Sequence, residues 1–292
     1  MSQTQEFVFP INVWDKIITN LTGSSWINLQ RTCKFFYFQC NIICVKNLEI
    51  VPNDGNVKKR IKKPMMKNLK LTSDNKSGIK FFVYDKLHIR TRRPISSIFA
   101  RIMKCNLEEL IIEYHNLTWN EYFFLVDGGR IKRLSLEGAN IKHSNGDSIL
   151  LEDIMSQIPE TNDIYIFPCY ASTETFSKMC LLPRKVKIDN LWLMDFDRNF
   201  KAFEVFDYCK VVLNQESSFT ISFAAGIAND RNIHDFQMEF MEAAERNEWK
   251  CEKMFASALL SFSVEKIHKT YQPIVPAMIP MTINRMILSS YK

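Results

Sequence analysis

Asp195, Asp197 and Asn199 fall at alternate positions, the spacing with which a calcium loop begins. Such a loop turns on a glycine at its sixth position and closes with a bidentate glutamate at its twelfth. Here those places hold Phe200 and Phe206, which excludes calcium chemistry of that kind. Five histidines (His88, His115, His143, His234 and His268) lie far apart, and none adjoins an obvious nucleophile. Proton transfer or metal ligation would need them to converge in space, and the bland reading is a scatter of surface and satisfied core side chains. There is no GxGxxG, no GxxxxGK[ST] and no HExxH. The expectation is a protein that is not an enzyme and uses no metal and no cofactor.

The eight cysteines show no CxxC spacing, and Cys33, Cys40, Cys44, Cys180 and Cys209 sit within apolar runs. That usage predicts reduced, buried thiols in an intracellular protein, not a disulfide frame or a zinc site. The start, MSQTQEF, lacks the basic and apolar regions of a signal peptide. No run approaches the roughly 18 apolar residues of a membrane span. The expected location is the cytoplasm, the nucleus or both.

Positive charge is concentrated. Lys58, Lys59, Arg60, Lys62, Lys63, Lys67 and Lys70 crowd one stretch without an acid, and these seven exceed the whole net charge of +6. The rest of the chain is near neutral, so no general polyanion-binding surface follows. The run Lys58, Lys59, Arg60, Lys62, Lys63 lies between Gly55 and Pro64. It has three readings: a nuclear import signal, a contact to nucleic acid, or a solvated loop. Stacking aromatics are absent beside it, which sets nucleic acid behind the other two.

The elements that would position any site repeat a phrase: two polar residues, an apolar one, any residue, an apolar one. It reads KNLEI at 46–50, KNLKL at 67–71, DKLHI at 85–89, EELII at 108–112 and KRLSL at 132–136. It continues as NDIYI at 162–166, DNLWL at 189–193 and SSFTI at 217–221. Alternation over five residues is a short half-buried strand. Between the later strands lie helix candidates. Thr118 and Glu121 form a capping box before Tyr122–Val126, ended by Asp127-Gly128-Gly129. Leu151, Ile154, Met155 and Ile158 mark a second, Ser172–Leu182 a third, and Phe200, Phe203, Phe206 and Cys209 a fourth. Asp235–Lys250 is a fifth, with Phe236, Phe240 and Ala244 on one face, and Ala258–Val264 is a last strand.

Strand–helix units stacked in series predict a solenoid in which each unit buries its apolar side against its neighbours. The alternating residues then line a concave face. Tyr165, Phe167, Trp192 and Met194 come side by side there, on a surface that is otherwise polar, as in an interface hot spot. Alternatively the C-terminal tail, with Ile274, Val275 and Met278, folds over this patch and makes it core.

The first 40 or so residues are of another kind. Val13, Ile17 and Leu21 line one face of a helix, and Trp14 and Ile18 form a second apolar ridge beside it. After Thr22-Gly23-Ser24-Ser25, the residues Trp26, Leu29, Cys33, Phe36 and Cys40 mark a second amphipathic helix. Two helices this apolar need cover from the rest of the chain or from a partner. Residues 9–37 resemble an F-box, the helical module that docks onto the Skp-family adaptor of a cullin ubiquitin ligase. Phe9-Pro10, then Val13, Ile17, Ile18 and Leu21, match its opening, and Leu29, Cys33-Lys34 and Phe36 match its close. Phe9 stands where Leu is usual, Ser25 where an acid is common, and Arg31 and Thr32 at usually apolar positions.

The chain from about Val45 to Lys250 is similar to a degenerate leucine-rich repeat array, although the Asn or Cys that follows the LxL core in that family is not regular here. An irregular α/β fold with a parallel sheet is the competing expectation. The pairing of F-box and repeats resembles substrate receptors and the large nematode F-box groups. It implies an α/β protein in which residues 5–44 form the helical module and 45–292 a strand–helix solenoid with an irregular cap. It also implies an adaptor surface of Phe9, Pro10, Val13, Trp14, Ile17, Ile18 and Leu21, a cullin reached through the adaptor, and a target protein on the repeats. A repeat scaffold without a ubiquitin role, a helical hairpin that merely caps the larger domain, and a nuclear nucleic-acid binder are the alternatives.

Overall fold

The computed structural model describes Ser25, Asn28 and residues 42–52, 65–73, 80–224, 230–247, 249–256 and 259–266. Apart from Ser25 and Asn28, residues 9–37 lie outside the described residues, as do the basic run 58–63 and the tail from Gln272. The adaptor, import and tail-cover expectations fall on these residues.

Eight of the strands are those of the repeated phrase: β1 (Ile42–Val51), β2 (Met65–Thr72), β3 (Lys80–Arg90), β5 (Glu109–Glu113), β7 (Arg133–Glu137), β9 (Asp163–Phe167), β10 (Ile188–Phe196) and β11 (Leu213–Phe223). They pair in parallel in the order β2-β1-β3-β5-β7-β9-β10-β11. The short β4 (Ile102–Cys105) pairs with the first half of β3, and the two-residue strands β6 (Leu117–Thr118) and β8 (Ile141–Lys142) pair in parallel in a small sheet of their own. An antiparallel hairpin of β12 (Trp249–Ala256) and β13 (Leu259–Lys266) extends the sheet beyond β11. The fold is thus mixed α/β, built on a large parallel sheet whose strand order is loosely that of a solenoid. It departs from a regular one at both ends, where β2 stands outside β1 and the closing hairpin runs antiparallel.

The repeated phrase determines the register. Its first apolar residue meets its counterpart in every neighbouring strand: Leu69 with Leu48, Leu48 with Leu87, and on through Leu110, Leu134, Ile164 and Leu191 to Phe219. The second apolar residue forms a parallel ladder from Leu71 and Ile50 to Leu193 and Ile221. All of these side chains are buried. A slip of one residue would turn both ladders to the other face, so burial holds the register.

Helices occupy the connections. They are α1 (Ser96–Phe99), α2 (Trp119–Val126), α3 (Leu151–Ser156), α4 (Thr175–Cys180), α5 (Ala202–Val212) and α6 (Asp230–Arg246). The capping box of α2 is complete: the Glu121 amide donates to Thr118 Oγ1 at 3.2 Å, and Glu121 Oε2 accepts from the Thr118 amide at 2.9 Å. Helix α4 is shorter than the spacing predicts, because Ser172 donates its amide to Thr175 Oγ1 in a turn before the first helical residue. In α5 the buried stripe is Ala202, Val205, Phe206, Tyr208, Cys209 and Val212. Phe203 stands outside it, 51% exposed, because the three-residue spacing of the phenylalanines drifts off a 3.6-residue helix. Helix α6 starts earlier than expected and ends at Arg246; the segment from Trp249 is strand β12 instead.

The far half of the core is aromatic. Phe176 and Phe196 both meet Phe200 edge to face, with ring centres 4.8 and 4.9 Å apart. Phe206 packs on Phe240 and Trp249 at 5.6 and 5.2 Å. Such pairs add to the burial of their area.

Candidate functional site

The positions alternating with the buried ladders carry the other face of the sheet, in rows that cross it strand by strand. The first row runs Asn68, Asn47, Lys86, Glu109, Arg133, Asp163, Asn190, Ser218, all in register. It satisfies itself. Asn47 Nδ2 donates to Asn68 Oδ1 at 2.7 Å, Lys86 pairs with Glu109 at 2.9 Å, and Arg133 reaches Asp163 at 3.4 Å. Ser218 Oγ donates to Asn190 Oδ1 at 2.7 Å. Opposite charges on adjacent strands lie close enough to pair without reaching for solvent.

The next positions bring together the four residues expected to form an apolar patch. Tyr165 and Trp192 are direct cross-strand neighbours, with ring centres 5.6 Å apart and planes at 67°. Phe167 is in register with Glu137, and Met194 Sδ lies 3.7 Å from Ser222 Oγ. All four are half-buried. Wide rings on strands about 4.8 Å apart shield one another, so a patch of this kind never exposes whole side chains. Burial, reinforced by the charge of Glu137, pushes the Tyr165 hydroxyl up to about 12. The Trp192 indole N–H is enclosed and has no acceptor among the described residues.

Beside the patch, at the C-terminal ends of β3, β5 and β7, stands a polar cluster that sequence reasoning missed as a site. Glu113 takes His88 Nε2 on one oxygen at 2.8 Å and Arg90 Nε on the other at 3.0 Å. Glu137 lies in register with Glu113 on the next strand and accepts from the Tyr114 hydroxyl at 3.3 Å. The Arg92 guanidinium sits over the Tyr114 ring, 5.3 Å from its centre. Burial and the neighbouring Glu113 charge hold the Glu137 carboxyl above the usual carboxylate range. The signal was the third outward position of each phrase, read together with its neighbours in register.

A backbone feature recurs at the rim. Tyr114, Gly138 and Asp195 follow β5, β7 and the last outward position of β10, and all three have left-handed φ, at 57°, 59° and 62°. The cis Phe167-Pro168 peptide stands at the same station after β9. The next residues, His115, Ala139, Cys169 and Phe196, are buried. His115 Nδ1 donates to the Thr91 carbonyl at 3.0 Å, and burial pushes this imidazole down.

The remaining chemical candidates stay apart. Asp195 lies in β10 and donates its amide to Ser222 Oγ of β11 at 2.9 Å, a strand contact and not a calcium loop. His143 rests against the Trp119 ring at 6.4 Å. Among the described residues no three potential metal ligands come together, and no helix is long and apolar enough to cross a membrane. Cys44, Cys105, Cys169, Cys180 and Cys209 form no disulfide, and all of these but Cys180 are buried. Burial pushes the Cys44 thiol up to about 12, so it is no ready nucleophile. Set against known proteins, the chain matches no family model, no curated protein and no solved structure.

Proposed function

We propose that this chain is the substrate-recognition subunit of a ubiquitin ligase of the Skp–cullin–F-box type. Residues 9–37 dock the Skp-family adaptor through Phe9, Pro10, Val13, Trp14, Ile17, Ile18 and Leu21, with a cullin beyond it. A leucine-rich-repeat-like sheet presents Tyr165, Phe167, Trp192 and Met194 to a target protein. What carries the reading is a combination: a motif that resembles an F-box precedes a repeated phrase whose strands stack in register. After four of the LxL cores the station held by His115, Ala139, Cys169 and Phe196 is buried, as where the repeat family places its Asn or Cys, and this supports the likeness; after β3 the same place is the exposed Arg92. Cys169 retains the family chemistry there, donating its thiol to the Ile166 carbonyl at 3.3 Å.

In this role the chain performs no bond chemistry. It holds a target near the ubiquitin donor carried by the rest of the ligase, and so supplies proximity and orientation. The two surfaces ask for different physics. The proposed adaptor contact is apolar, because Phe9, Pro10, Val13, Trp14, Ile17, Ile18 and Leu21 carry no charge. The target contact is a half-buried aromatic patch within a charged lattice, where a few rings would carry most of the affinity.

Co-expression of the full chain with a Skp-family adaptor tests the proposal. A receptor co-elutes with the adaptor as one species on size exclusion and recruits a cullin to it. Separate elution would leave a repeat-type scaffold without a ubiquitin role.

A further inference from the structure

Across β1 to β9 the patterned face of the sheet neutralises its own carboxylates, with one exception among the described residues. Glu49 pairs with Lys70 at 3.3 Å, Glu109 with Lys86 at 2.9 Å, Glu113 with Arg90 at 3.0 Å and Asp163 with Arg133 at 3.4 Å. Glu137 has no cation within ion-pair distance among the described residues; the Tyr114 hydroxyl, at 3.3 Å, is the group that donates to it. The cations nearby are engaged elsewhere. Arg90 is held by Glu113, and Arg92 lies over the Tyr114 ring. Both oxygens of Glu113 are occupied too, so the two carboxylates do not offer a joint seat for a metal ion.

What surrounds Glu137 is aromatic. On one side is Tyr114, 41% exposed, and on the other strand β9 brings Tyr165 and Phe167, with Trp192 edge-on to Tyr165. A half-buried carboxylate with no cation, set between accessible rings, is the complement of a long basic side chain. The charge meets the carboxylate, and the stem or the guanidinium plane lies along a ring. The lattice already contains such a contact in Arg92 over Tyr114.

We propose that Glu137, with the rings of Tyr114 and Tyr165 on its two sides, receives an arginine or lysine side chain of the target protein. This rests on the reading of the chain as a receptor for a protein target, and narrows that target to one with a basic segment. An acidic or phosphorylated segment would meet Glu137 and Glu113 with like charge and is turned away.

The probes are capped tripeptides that differ only in the central residue, arginine, lysine, glutamate or leucine, titrated into the full chain. The readout is the Trp192 indole N–H signal, which stands against Tyr165 and is identified with Trp192→Phe. The arginine and lysine peptides shift it saturably, more weakly as salt is raised, and the other two do not. Glu137→Gln keeps an oxygen for the Tyr114 hydroxyl but loses the charge, and weakens the arginine peptide by about tenfold. Glu137→Lys moves the preference to the glutamate peptide. The proposal is overturned if the leucine and arginine peptides act alike on the unmodified chain, or if Glu137→Gln binds the arginine peptide undiminished. The selectivity of the unmodified chain needs no variant to fold. Basic selectivity without adaptor binding would sink the ubiquitin role and leave this site standing; adaptor binding without basic selectivity would do the reverse.

Discussion

The ring of Tyr114 closes over Gly138: a Cβ built on the glycine would stand 2.8 Å from Tyr114 Cδ1. The two residues hold the same station in successive strand–helix units, one step past the in-register pair Glu113 and Glu137, and both are left-handed. Gly138 is therefore required twice, for its φ of 59° and for the space that the ring occupies. Gly138→Ala is expected to lose about 2 kcal/mol, and only about 1 kcal/mol in a Tyr114→Ala background, where the backbone strain alone remains. Urea midpoints of the four proteins measure this. Equal losses in both backgrounds would rule out the contact.

Glu152 is a buried carboxylate at the start of α3 that Thr175 Oγ1 and Ser172 Oγ satisfy from the next unit, with Lys178 Nζ at 3.6 Å. Thr175 is itself wholly buried, so Thr175→Val keeps the volume while removing one donor from a buried charge and the acceptor of the Ser172 amide. The expected loss is about 2 kcal/mol, the cost of leaving such an acceptor short. Chemical denaturation checks it, and an unchanged midpoint would mean that solvent or Lys178 makes good the loss.

The raised carboxyl of Glu137 gives a pH dependence whose sign follows from linkage. Between the ordinary value of 4.5 and its higher folded value, the native state binds the proton that the unfolded chain has released. This group's contribution to stability therefore falls as pH rises through that window and stays lost above it. Glu137→Gln removes the dependence, so the variant gains on the parent protein at neutral pH and the gain vanishes below pH 4.5. A gain of the same size at both pH values would assign the effect to something other than ionisation.

The buried half of each strand was legible because alternation is the direct imprint of one-sided burial. Leu110 and Ile112, or Leu134 and Leu136, announce a strand without help from the rest of the chain. The capping box at Thr118 was legible for a similar reason, since both partners lie within four residues. Strand order was not. Nothing local in β1 or β2 says that β2 stands outside β1. Strand β12 was hidden because the helical pattern of Phe236, Phe240 and Ala244 runs toward Trp249 with neither Gly nor Pro to stop it. The exception at Glu137 was illegible too, because its pairing depends on strands 20 to 30 residues away in sequence. The patch was legible only as composition; its half-burial comes from rings shielding rings across β9 and β10.

That half-burial sets the expected response of the patch. Tyr165→Ala combined with Trp192→Ala is expected to lose about 1–2 kcal/mol, well short of the roughly 3–5 kcal/mol that each fully buried aromatic would lose. Thermal and urea unfolding of the double variant decide it. A collapse of the melting temperature would make these rings part of the core and remove them from any binding surface.

The adaptor contact is the most direct test of the proposed role. On the proposed reading Trp14 and Ile18 belong to the adaptor surface, and Ile18 carries the test. The measurement is co-purification of the full chain, unmodified and with Ile18→Asp, with a co-expressed Skp-family adaptor, alongside far-UV circular dichroism of both chains. A receptor gives a stoichiometric complex that Ile18→Asp abolishes while the dichroism stays unchanged, because a charge placed in a dry contact costs several kcal/mol. No complex with the unmodified chain, or a complex that survives Ile18→Asp, would contradict the assignment.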